Sequence, residues 1–278
     1  MDTSSQNTSP VRLSAGQRKT LEKAVDIIAR AIQPEKIILI QPPVPPMLIA
    51  FDLLVITREG ERRSDYELQD IIESRCREVA AVTALVHDIG YVNRRVQERQ
   101  YFFSMVLREG ALLFDAGRTP LAEAFIPDWE EVRIMAEKDF DRWTRQARDF
   151  FHSAEFIRGK RGWNTAAFLL HQAAEQCYQA ILLAFMGYKP TTHNLDKLRR
   201  YTNRFSVELA LLFPLDNEEE EDIFRLLSSG YVSARYKEEF IITEEEIGIL
   251  AERIRRLLDI AERVCCNHFI SLSKRGHL

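Results

Sequence analysis

A change of hydrophobic period at Asp128 constrains this chain more than any other feature. Before it, short β-branched apolar runs alternate with helical stretches, at Lys36 to Ile40, Leu48 to Ile56, Val82 to Val86 and Ala111 to Phe114. After it, apolar residues recur only at the three-to-four-residue spacing of amphipathic helices. One half must build a sheet and the other a bundle. The pattern predicts an α+β domain followed by an all-α helical bundle, mostly α overall. With 278 residues there is enough chain for two separate cores.

Local signals place the boundaries. Ser14 with Gln17, Ser64 with Glu67 and Thr243 with Glu246 have the spacing of capping boxes, so each predicts a helix start. Asp128 is expected to cap a helix running to about Gly159, and Gly187 to end the next. Thr191 or Thr192 is expected to cap the helix that carries Leu195, Leu198 and Tyr201. Residues 1–13 are expected to be disordered, 14–118 to form the α+β domain, 119–128 a linker, 129–268 the bundle and 269–278 a tail.

Composition removes several classes of function. Hydrophobic content of 46% and charged content of 29% are those of a globular protein, and no apolar run approaches the ~18 residues of a membrane span. The polar start, Met1 to Pro10, lacks a basic and apolar leader, so a cytoplasmic location is expected and no membrane partner. Cys76, Cys177, Cys265 and Cys266 include no C-x-x-C, which argues against structural zinc and for a reducing compartment. Residues 1–128 carry 16 Lys+Arg against 18 Asp+Glu, and residues 129–278 carry 22 against 24. Neither half is basic, so net charge gives nucleic-acid binding no support.

The first two strand-like runs bracket a proline-rich loop, and the second ends in Asp52, Leu53, Leu54, Val55 and Ile56. That phrase resembles a nucleotidyltransferase active site in strand length and loop spacing. The family supplies Gly-Ser after the first strand and Asp-x-Asp on the second. Here Gln41 and Pro42 stand in place of Gly-Ser, and Ala50 in place of the first Asp, leaving only Asp52. Proline offers no N–H to a phosphate, and one carboxylate cannot hold two Mg²⁺ ions. The later run from Val79 to His87 contains no third acid. The resemblance therefore implies a degenerate, non-catalytic nucleotidyltransferase-like domain.

In the second half, Phe168 to Leu183 with Glu175, then Gly187 to Leu195 with His193, then Ser233 to Tyr236 ahead of the last helix, together resemble the HEPN family, the higher eukaryotes and prokaryotes nucleotide-binding domain. The resemblance implies an antiparallel bundle that dimerises and is often fused behind a nucleotidyltransferase domain. Members either cleave RNA or bind nucleotides without cleaving. The RNA-cleaving branch carries an Arg and, after four to six intervening residues, a His before the last helix. Here Arg235 is present, and Phe240 follows where the His would fall. Arg145 with His152 and Arg263 with His268 also fit the spacing, but lie elsewhere, and such short pairs arise by chance.

His171 and Glu175 share a helix face at i and i+4, a spacing that favours a hydrogen-bonded pair over a metal site when no third ligand is at hand. Arg235, Tyr236, Lys237 and His193 are the candidate ligand-binding residues, Asp52 the residual nucleotidyltransferase motif, and no catalytic or metal residue is assigned. The expected function is a non-catalytic nucleotide-binding or regulatory protein, a homodimer through its bundle, with a nucleotide and Mg²⁺ as the candidate cofactors. The alternatives are an enzyme, as a noncanonical HEPN ribonuclease or residual nucleotidyltransferase, and an interaction module of a toxin-antitoxin-like pair.

Overall fold

A computed structural model describes residues 13–40, 50–231 and 241–275. The chain divides into two compact units, Met1–Pro127 and Asp128–Leu278.

The first unit runs α1 (Ala15–Ile32), β1 (Lys36–Leu39), β2 (Ala50–Thr57), α2 (Asp65–Cys76), β3 (Ala81–Asp88), α3 (Ile89–Gln97), α4 (Tyr101–Glu109) and β4 (Ala111–Asp115). Both expected capping boxes close, at Ser14 with Gln17 and Ser64 with Glu67, and satisfy first-turn N–H groups. The four strands lie in the order β3-β2-β1-β4, with β2 and β3 parallel and the other pairs antiparallel. Successive side chains alternate between faces. Ile37, Leu39, Phe51, Leu53, Val55, Val82, Ala84 and Val86 therefore share the face that packs with Leu21, Ala24, Ile28, Leu68 and Ile72 of α1 and α2. Asp52, Leu54, Thr83, Leu85 and His87 take the other face, where His87 meets Phe103 of α4 edge-on. At one end of the β1–β4 pair Lys36 and Asp115 are cross-strand partners, joined at 2.6 Å.

The second unit contains α5 (Trp129–Arg158), α6 (Trp163–Met186), α7 (Leu195–Asn203), α8 (Val207–Leu212), α9 (Glu218–Ser229) and α10 (Glu244–Arg275). Asp128 caps α5, accepting from Glu130 and Glu131, and Gly187 ends α6 in the left-handed region that glycine adopts without steric cost. The α6 helix is apolar on almost every face. Such a helix belongs at the centre of a bundle, and α6 packs against α5, α7, α9 and α10.

Three local expectations change. Asn194, not Thr191 or Thr192, caps α7, because its side-chain oxygen accepts from Lys197, while the Thr192 hydroxyl accepts from the Asn194 N–H one step earlier. Helices α3 and α8 carry too few periodic apolar residues to stand out: Gly90, Asn93, Arg94 and Arg95 interrupt the first, and the second is a turn and a half. The last helix continues through Arg275 with Phe269 and Leu272 buried, so the expected boundary at residue 268 falls inside it. The disorder expected at the N-terminus falls largely outside the described residues. Among the described residues no helix is long and apolar enough to cross a membrane. All four cysteines are free, with Cys265 buried and its neighbour Cys266 exposed.

Candidate functional site

In the first unit the question is what surrounds Asp52. It lies on β2, almost fully buried, and its carbonyl accepts from the Ile40 N–H at 2.8 Å. Its in-register neighbour on the parallel strand β3 is Thr83, and register partners face the same side of a sheet. Ala50 is paired with Ala81. No second carboxylate thus stands beside Asp52 on the strands that flank it, and among the described residues no cluster of three His, Cys, Asp or Glu is placed to hold a metal. These donors do not fit a two-ion Mg²⁺ site. Gln41 and Pro42 lie outside the described residues.

The second unit concentrates its polar chemistry on α6. His171, Glu175 and Gln179 follow one another at i, i+4 and i+8, and all three are at most 3% exposed. Charged and amide groups this deep require partners. Glu175 Oε1 lies 2.9 Å from His193 Nδ1 and accepts from Gln179 Nε2 at 3.3 Å. Gln179 Oε1 in turn accepts from Lys189 Nζ at 3.5 Å. Lys189 and His193 both belong to the loop between α6 and α7, so one buried carboxylate and one buried amide hold both ends of that loop.

His171 completes the cluster from behind. Its Nδ1 is 3.1 Å from the Leu227 carbonyl. A carbonyl can only accept, so the Nδ1 hydrogen is committed there. That carbonyl belongs to the last turn of α9, where main-chain acceptors lack a full set of helical partners. The other nitrogen, Nε2, faces Glu175 Oε2 at 3.7 Å, within ion-pair reach but too far for a hydrogen bond, and both atoms are buried without a hydrogen-bond partner. Burial raises the pKa of the Glu175 carboxyl; the contacts with His171 and His193 outweigh that effect, and the net direction is down. The carboxylate is thus kept ionised between two imidazoles.

Aromatic rings frame this group. Tyr231 lies 5.3 Å from the His171 ring and is nearly parallel to the His193 ring, at 6.2 Å and 5°. Lys189 Nζ sits 4.6 Å from the centre of the Trp143 ring. The α9 terminus that brings Leu227 and Tyr231 here comes close to α6 because Gly230 has no side chain: a Cβ there would be 2.8 Å from the Ala167 carbonyl oxygen.

Of the candidate residues read from sequence, Asp52 is buried in the first unit and His193 is on the α6–α7 loop, paired with Glu175. Arg235, Tyr236 and Lys237 lie outside the described residues, as does Phe240. The i, i+4 spacing of His171 and Glu175 did bring the two together, but as a 3.7 Å ion-pair contact and not the hydrogen-bonded pair expected from sequence, because each spends its hydrogen bond on another element. Lys189 and Tyr231 carried no such signal, since their partners come from other elements, whereas Gln179 lies four residues after Glu175 on the same helix, a spacing that could have found it. The spacing of Arg263 and His268 does not make a site: Arg263 pairs with Glu208, and His268 stacks on Phe185 at 4.1 Å.

The arrangement of α6, its following loop and the long last helix coincides with a family-model match: residues 140–264 match the HEPN domain. The helical unit carries a HEPN domain. The whole buried cluster, from His171 to Tyr231, falls inside this HEPN region. A search of solved structures returns a nucleotidyltransferase-like protein from Exiguobacterium sibiricum, 15% identical, covering 87% of this chain and 76% of that one at a TM-score of 0.28, which adds nothing to the fold assignment. No curated protein matches the chain.

Proposed function

We propose that this is a cytoplasmic, non-catalytic nucleotide-binding or regulatory protein, homodimeric through its HEPN unit, in which the α+β unit has lost nucleotidyl-transfer chemistry and the helical unit holds the ligand. One observation carries this reading. A carboxylate is buried on the central helix between two imidazoles, with polar atoms left open, beside a loop that presents an ammonium and an imidazole to solvent. A packing core gains nothing from such a group, whereas a binding site needs polar atoms held in fixed directions. The pairing of Asp52 with Thr83 supports the complementary half, because phosphoryl chemistry with two metal ions needs converging carboxylates.

Calorimetric titration of the purified full chain with ATP and GTP, each with and without Mg²⁺, tests the reading. Micromolar binding that is independent of Asp52→Ala and produces no labelled product from triphosphate or RNA is the expected result. Turnover that disappears in Asp52→Ala or Arg235→Ala would replace it with an enzyme. Absence of any heat, together with a co-purifying protein, would leave an interaction module.

A further inference from the structure

We propose that Lys189 and His193 form a phosphate-recognition pair, so that the ligand of the HEPN unit is a nucleotide held by its phosphate rather than a nucleoside. This inference rests on the nucleotide-binding reading and names the chemistry of the same site.

Lys189 is an exposed cation with a fixed position. It is in no ion pair with a carboxylate among the described residues; its only polar contact there is the Gln179 amide oxygen, and the Trp143 ring lies against its ammonium. An ammonium has three donors, so two remain open to a ligand. Most surface lysines are either solvated freely or paired with an acid. This one is held by groups that leave its charge uncompensated.

His193 is anchored in a complementary way. Its side chain is 69% exposed, yet Nδ1 is committed to a carboxylate that is 5% exposed. With Nδ1 committed inward, Nε2 is the atom available to solvent. In the imidazolium form the outward Nε2–H is a charge-assisted donor to a phosphate oxygen. The ring is further held parallel to Tyr231.

Both side chains leave the same loop, whose ends are set by the left-handed Gly187 and by the Thr192–Asn194 cap. Three contacts link them: Lys189 to Gln179, Gln179 to Glu175 and Glu175 to His193. Among these groups the one carboxylate is matched by the Lys189 ammonium, with two imidazoles beside it, so no net negative charge opposes an anion. The pre-set geometry means that little rotamer entropy remains to be lost when a phosphate binds.

The test is calorimetry on the full chain with ATP, AMP, adenosine and inorganic pyrophosphate, on the native protein and on Lys189→Ala, His193→Gln and the double variant. Both positions are exposed, and unchanged melting curves will show that the variants fold. The expected result is ATP binding at least thirtyfold tighter than adenosine, weakened about tenfold by each single variant, with adenosine binding unaffected by either. ATP binding that survives the double variant, or equal affinity for ATP and adenosine, would overturn the phosphate pair while leaving nucleotide binding intact. No binding of any of the four compounds to the native protein would overturn both.

Discussion

The guanidinium of Arg253 meets the carboxylate of Glu220 through both of its terminal nitrogens, at 2.7 and 2.5 Å, and the same Nη1 donates to the Leu212 carbonyl at 2.7 Å. One side chain of α10 thereby closes the C-terminal end of α8 and fixes the first turn of α9. The contact holds the Glu220 carboxyl below the usual range. Arg253→Ala is expected to destabilise the protein by about 2–3 kcal/mol, because a partly buried carboxylate and a carbonyl lose their donor together. Arg253→Lys should recover less than half, since an ammonium cannot match the fork. Urea denaturation of the two variants measures both effects.

His268 stacks on Phe185, which in turn stacks on Phe205. Burial, reinforced by Arg275, lowers its pKa to about 4. In the unfolded chain it would titrate near ~6.5. Between those values the unfolded state binds a proton that the folded state does not, so stability falls as pH drops from about 6.5 towards 4. His268→Phe keeps the stack and removes the proton. Its unfolding free energy, measured by urea denaturation, should vary less across that window than the native protein's, by an amount on the order of 2–3 kcal/mol at the acid end.

For Glu175 the sign runs through a depressed carboxyl. Its folded pKa lies below the ordinary value, so its contribution is present above about 4.3 and is lost as pH falls through the folded value. Glu175→Gln should cost stability at neutral pH, where two imidazoles face a neutral amide. The gap to the native protein should narrow below about pH 4. Chemical denaturation at pH 7 and pH 3.5 gives the comparison.

Gly230 tests the close approach of α9 to α6. A methyl group there would sit 2.8 Å from the Ala167 carbonyl and 3.1 Å from that of Leu227, both backbone atoms that cannot swing aside. Gly230→Ala should cost about 1–3 kcal/mol. It should also displace the Leu227 carbonyl from His171, visible as a shift of the His171 imidazole resonances by NMR.

Asp52 should prove silent towards metal. With Thr83 beside it, millimolar Mg²⁺ is expected to leave the melting temperature of the native protein and of Asp52→Asn unchanged. A Mg²⁺-dependent rise present only in the native protein would show that Asp52 retains a metal site.

Much of the secondary structure was legible because its causes are local. Ile37, Ile38, Val55 and Val86 lie in β-branched runs, and Ser14, Ser64 and Thr243 answer residues three positions away. Helix α8 and the capping role of Asn194 were harder to see. The first is too short for a period to emerge, and Thr191, Thr192 and Asn194 are all good caps, so loop geometry chooses among them.

The sequence by itself determined that a sheet-forming half precedes a helix-forming half and that carboxylates are missing from the nucleotidyltransferase-like phrase, since period, caps and residue identity are properties of neighbours. The tertiary structure alone decided that Thr83 stands beside Asp52, that His193 reaches Glu175 across 18 positions, and that His171 finds Leu227 across 56. Strand register and the seating of a loop on a buried helix are settled by which surfaces pack together. That choice minimises the free energy of the whole unit and leaves no signature in any short stretch of chain.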